Sequence, residues 1–192
     1  KIAGVGSKQI LSEFDCTNAQ IIDASEKTVL PGFVDPHTHL IFGGSREKEL
    51  ALKIQGVSYL DILKQGGGIL STVRETRAAS EEELVTRGVK TLQKMLEHGT
   101  TTIEAKSGYG LDLETEVKIL RATKLAEEKS QVEIKKTFLG AHAIPEGKTS
   151  EEYTKKVIEM IPHVKTLAEY CDVFCEKDVF SVEQTRAILE EG

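Results

Sequence analysis

Two histidines spaced two residues apart, His37 and His39, are the side chains in this sequence best suited to do chemistry. They close an apolar rise, Phe33-Val34-Asp35-Pro36-His37-Thr38-His39-Leu40, entered from Val29-Leu30-Pro31-Gly32. Side chains alternate faces along a β-strand, so the two imidazoles point the same way and can give two ligands to one metal ion. Imidazole nitrogen suits zinc and its neighbours, and a catalytic centre of that kind leaves a position open for water. On spacing alone, a His-x-His is equally an ordinary polar pair at a strand end. The flanking Pro31-Gly32 and Gly43-Gly44 bracket a short run of the type buried on both faces in a parallel sheet. Barrels built of such strands hold their chemistry at the carboxyl ends. The surroundings therefore favour metal.

The elements that must position this pair can be taken in order. Residues 1–30 contain short apolar pieces, Ile2-Ala3-Gly4-Val5 and Ala19-Gln20-Ile21-Ile22-Asp23-Ala24, separated by turn residues. They read as strands of a small β element that must pair with something else. Past the histidines, residues 46–52 and 59–63 have helical spacing, and Gln65-Gly66-Gly67-Gly68 reads as a turn, lacking the Lys-Ser/Thr of a phosphate loop. Ser80 and Glu83 form a capping box. Leu84, Val85, Val89, Leu92, Met95 and Leu96 then mark one face of a helix that Gly99 ends. His98, in its last turn, is favoured by the helix dipole and reads as structural.

A second strand over residues 100–105 runs into Lys106-Ser107-Gly108-Tyr109-Gly110, and a helix covers 113–128. A third strand, from Val132 to Gly140, delivers Ala141-His142-Ala143-Ile144-Pro145. Thr149 and Glu152 cap a helix that Pro162 interrupts after about Ile161. His163 reads as a surface residue. Asp172 to Cys175 is a fourth strand, and Ser181 to Gln184 cap a last helix ending at Gly192. Strand and helix alternate four times, which makes this an α/β chain with a parallel sheet and crossover helices. The sheet is either open or about the first four units of a (β/α)8 TIM-type barrel. A complete barrel takes roughly 250 residues, so 192 residues read as about half.

Composition narrows the partner. Hydrophobic residues make up 39%, charged residues 29%, and the net charge is -6, as in a soluble globular protein. With no basic run, nucleic acid and anionic membranes are disfavoured and a small molecule is expected. Three cysteines are too few for a disulfide framework, and Cys171 and Cys175 read as buried thiols. No stretch is long enough to span a membrane and no signal peptide is visible, so the cytoplasm is the expected compartment. The chain opens at Lys1 without Met, which leaves a removed targeting segment open.

Leu30-Pro31-Gly32-Phe33-Val34-Asp35-Pro36-His37-Thr38-His39 resembles the first-strand signature of the amidohydrolase superfamily, and Ile21 to Ala24 resembles its small N-terminal β-sandwich-like domain. Four further stretches narrow the likeness: Phe42-Gly43-Gly44-Ser45-Arg46, Gly66-Gly67-Gly68-Ile69, Glu104 to Leu111, and Phe138 to Pro145. Together they resemble the imidazolonepropionase family of histidine-degradation enzymes. The resemblance implies part of the small domain in residues 1–30 and the first half of the barrel in 31–192, the second half being missing. It also implies a single zinc or iron ion, divalent or trivalent, with His37 and His39 as its first two ligands. The reaction implied is hydrolysis of the ring amide of 4-imidazolone-5-propanoate to N-formimidoyl-L-glutamate.

By the same resemblance, Arg46 matches a substrate-binding arginine, and a guanidinium fork suits the propionate carboxylate. Tyr109 matches a substrate-contacting tyrosine on a flexible glycine-flanked loop. His142 matches a catalytic, substrate-binding histidine that can polarise the attacked carbonyl. Tyr59 is a further pocket-lining candidate. Lys106 reads as structural, because a single metal needs no bridging lysine. The remaining ligands and the carboxylate base fall beyond Gly192. A related cyclic-amide amidohydrolase or deaminase is the alternative enzyme, and a metal-free scaffold or binding module the alternative class. A homodimer is the commonest assembly for such a chain. Alone, a half barrel exposes a strand edge and an unfilled core, so these residues by themselves are expected to be inactive and poorly folded.

Overall fold

In the computed structural model, which describes residues 2–58, 61–62 and 65–192, four strands lie side by side in sequence order. They are β1 (Phe33–Thr38), β2 (Thr100–Lys106), β3 (Glu133–Ala141) and β4 (Tyr170–Val173), and every neighbouring pair is parallel. Three helices, α1 (Glu47–Ile54), α2 (Ile69–Ala78) and α3 (Glu81–Glu97), connect β1 to β2. One helix follows each later strand: α4 (Leu113–Glu128), α5 (Ser150–Val164) and α6 (Val182–Glu191). The sheet is curled as half of a TIM-type barrel. The chain divides into two units, Lys1–Pro31 and Gly32–Gly192, and the sheet with all its helices belongs to the second.

The core sits between sheet and helices. Ile103 and Ala105 of β2 and Ile134 of β3 are buried with Leu84 and Leu92 of α3 and Ile119 of α4. Further along, Phe138 and Ala141 of β3 pack with Leu120, with Val157 and Ile161 of α5, and with Ile188 of α6. Strand alternation turns Thr102, Glu104 and Lys106 to the opposite, inner face, where with Thr137 and Asp172 they line an open trough of about 480 Å³. The capping boxes at Ser80/Glu83 and Thr149/Glu152 form as the sequence indicates, and Ser181/Gln184 makes a third.

Several details differ from the sequence reading. Residues 2–31 contain a 3-10 helix over Lys8–Glu13 and no strand among their described residues. Ile21 and Ile22 are exposed there; a strand needs a neighbour, and these pieces find none. β1 is not buried on both faces. As the sheet's edge strand over an open inner face, it leaves Phe33 55% and Val34 64% exposed. Helix α2 has no local start signal; Lys118 Nζ satisfies its last turn by donating to the Thr76, Arg77 and Ala79 carbonyls at 3.0, 3.0 and 2.8 Å. Pro162 does not interrupt α5, which runs to Val164. β4 starts two residues earlier than expected, and Cys175, past its end, is exposed rather than buried. Cys171 is half-buried. Tyr59, with residues 60, 63 and 64, lies outside the described residues. Among the described residues no helix is long and apolar enough to cross a membrane.

Candidate active site

Because the strands are parallel, their carboxyl ends share one edge, and four of the expected side chains meet there. The His39 ring stacks on His142 with centroids 4.5 Å apart and planes 11° from parallel. Tyr109 lies 4.7 Å from His39 and 5.2 Å from His142, and His37 lies 5.9 Å from His39. Phe42 and Phe174 flank the group, at 6.0 Å from Tyr109 and 6.3 Å from His142. The strand carrying the histidines is pinned by Thr38, whose Oγ1 donates to the Glu104 carbonyl at 2.8 Å.

Arg46 stands just before α1, and its charge reaches the Tyr109 phenol, opposing the upward push that burial gives that group. Its guanidinium donates twice to Glu49 Oε2, at 3.0 and 2.7 Å. The other Glu49 oxygen accepts the Gly68 N–H at 2.8 Å. The glycine turn therefore lets backbone approach the carboxylate that aims Arg46; a Cβ at Gly67 would lie 3.0 Å from Glu49 Oε1 and 2.7 Å from Ile62.

The loop bearing Tyr109 is tethered at several points. Gly108 has φ +107°, and a Cβ there would meet the Leu139 carbonyl oxygen at 2.6 Å and His142 Cβ at 2.8 Å. Gly110 likewise has Glu116 N within 2.7 Å of where its Cβ would be. The Gly110 carbonyl accepts from Arg77 Nε at 2.8 Å, and Arg77 also pairs with Asp112, the N-cap of α4. Glu116, fully buried in α4, accepts the N–H groups of Gly108, Gly110 and Leu111 at 3.0, 2.7 and 3.0 Å. Burial pushes this carboxyl above the usual carboxylate range, with the Ser107 hydroxyl and the three amides pulling the other way.

The histidine hydrogen bonds decide what each ring can do. His142 Nδ1 lies 3.0 Å from the Gly108 carbonyl oxygen, which only accepts, so the proton is on Nδ1. Burial pushes the His142 pKa down, with the Gly108 carbonyl and Asp172 pulling the other way. His39 is held neutral, its pKa pushed down to about 3 by burial and then by His142, His37 and Lys106. The Ser107 backbone opposes this without forming a well-aligned hydrogen bond, and the buried His39 Nδ1 has no hydrogen-bond partner.

A neutral imidazole with an orphaned buried nitrogen fits a metal ligand. Among the described residues, however, no three His, Cys, Asp or Glu side chains converge on one metal position. Lys106 Nζ bridges Glu104 Oε1 at 2.6 Å and Asp172 Oδ2 at 3.0 Å, and Thr137 Oγ1 donates to the same Glu104 oxygen at 2.6 Å. Burial opposes the Lys106 charge, but these carboxylates outweigh it and hold its pKa above the ordinary lysine value. That network ties β2 to β4 across the inner face.

Sequence reasoning missed Glu116, Glu49 and the Glu104–Asp172 pair. An acid in the first turns of a helix normally reads as a dipole partner in water, and Glu49 as half of an i,i+3 surface pair with Arg46. Only tertiary contacts distinguish them.

A model of the amidohydrolase family matches residues 20–93. The chain is 54% identical to an imidazolonepropionase of Alkaliphilus oremlandii over 99% of its own length and 46% of that protein's. It is 57% identical to one of Caldanaerobacter subterraneus over 89% and 42%, and 50% identical to one of Haloarcula marismortui over 100% and 47%. The chain thus spans about half the length of the curated relatives it matches.

Proposed function

We propose that this chain belongs to the amidohydrolase family and forms the first half of the active site of an imidazolonepropionase. The observation that carries this reading is the meeting of His37, His39, Tyr109 and His142 at the carboxyl ends of three neighbouring parallel strands. His37 and His39 would hold a single zinc or iron ion together with ligands from the second half of the barrel. When bound, such an ion acidifies water toward a pKa of about 7. Residues of this chain then bind and orient the substrate, 4-imidazolone-5-propanoate. Arg46, aimed by Glu49, offers its fork to the propionate carboxylate. His142, held through Nδ1 by the Gly108 carbonyl, would bind the substrate and polarise the attacked carbonyl, and Tyr109 would wall the ring. Opening the ring amide gives N-formimidoyl-L-glutamate.

Residues 31–192 are the first four units of a (β/α)8 barrel in this reading, and residues 1–30 belong to a small β domain whose partner strands lie elsewhere in the protein. The exposed faces of Phe33 and Val34 support it, as they await a neighbouring strand. A metal-free scaffold would leave the orphaned His39 Nδ1 without a purpose. The test is metal content and imidazolone hydrolysis of the full-length protein, with and without His37→Ala. Bound metal and activity, both lost in the variant, are expected. Both surviving would remove the strand-end histidines from the mechanism.

A further inference from the structure

Glu116 poses a problem the proposed reaction does not use. A helix acid gains from the dipole while remaining in water, yet this one is fully buried and its hydrogen-bond partners are backbone amides and a hydroxyl. Every group it holds lies in one segment, Ser107 to Leu111. Within that segment Gly108 is bound from both sides: its N–H donates to Glu116 and its carbonyl accepts the His142 Nδ1–H. Leu111 is kept at φ +56°, a left-handed backbone that side chains rarely adopt. The two oxygens of Glu116 accept from the N–H groups of all three of Gly108, Gly110 and Leu111.

We propose that Glu116 is a positioning residue for this site, clamping the 107–111 loop so that Tyr109 faces the substrate and His142 keeps its proton on Nδ1. This rests on the hydrolase reading above. Glu116 touches no substrate; it acts through two residues that do. A glutamine of the same size would turn an amide N–H toward an N–H of the loop, while aspartate keeps two acceptors but falls one methylene short.

The experiment compares wild type, Glu116→Gln and Glu116→Asp in the full-length protein. Its readouts are imidazolone hydrolysis, amide hydrogen exchange over 107–111, and the imidazole nitrogen shifts of His142. Glu116→Gln should speed exchange in the loop about tenfold or more while Ile103 and Ile119 stay protected. It should also lower kcat/KM roughly 10- to 100-fold, as misplacement of contact groups does, with Glu116→Asp in between. On a His142→Ala background the further loss should shrink to about threefold or less, since coupled residues are not additive.

Loop exchange unchanged from wild type would overturn the clamp. Kinetics near wild type with a released loop would overturn the positioning role, as would full additivity with His142→Ala. If Glu116→Gln fails to fold, Glu116→Asp decides by the same criteria. A wild type that binds metal but does not open imidazolone refutes the parent reading instead, and loop exchange with the His142 tautomer then decides the clamp alone.

Discussion

Replacing Gly108 by alanine tests whether the Tyr109 loop is held by close approach rather than by freedom of movement. Two costs add. At φ +107° a side chain brings left-handed strain of about 1–2 kcal/mol. The new Cβ would also lie 2.6 Å from the Leu139 carbonyl oxygen and 2.8 Å from His142 Cβ, and backbone within β3 cannot swing aside. Overpacking of that kind costs about 1–3 kcal/mol, giving roughly 2–5 kcal/mol in all. Gly147 supplies the control. Its φ is +75°, but nothing lies within 4 Å of its Cβ position, so Gly147→Ala carries the strain alone, about 1–2 kcal/mol. Urea unfolding of both variants in the full-length protein measures the gap. Gly108→Ala should also lose most of its kcat/KM, because His142 must move, whereas Gly147→Ala should keep it. Equal destabilisation by the two variants, with activity retained in both, would refute the reasoning: the overlap would then relax without cost.

Two further outcomes follow from the same coordinates. Tyr153→Phe removes the buried hydroxyl that donates to the Gly140 carbonyl at 2.9 Å and should cost about 1–2 kcal/mol in chemical denaturation; no change in midpoint would mean that water replaces it. Residues 1–192 expressed alone should bind a hydrophobic dye, unfold without a sharp transition and show no imidazolone hydrolysis, because Phe33, Val34, Tyr170 and Phe174 lie exposed; a cooperative, active monomer would contradict this.

The strand-end histidines, the capping boxes and the strand–helix alternation were legible because each rests on residues close in sequence. His37 and His39 need only a strand, and Ser80 with Glu83 needs only one helical turn. What escaped was held by distant partners. Helix α2 ends where Lys118 reaches its carbonyls, some forty residues on. Glu116 and Glu49 look like surface acids until the backbone folded against them is seen. The Ser107-Gly108-Tyr109-Gly110 loop was placed correctly but its tethers were not legible, since glycine reads equally as mobility or as proximity. The hold on the His142 ring came from one carbonyl acceptor, Gly108, that no spacing rule reveals.

The tethering of residues 107–112 also bears on how such a sequence can drift. Surface loops are ordinarily where related chains gain and lose residues. Here α2 supplies Arg77, α4 supplies Glu116 and the end of β3 supplies His142, three separate elements reading the same short path. An inserted residue would break register with all three at once, so length in this loop should be as constrained as in the core. The turn at Gly147, open on all sides, is where insertions should accumulate.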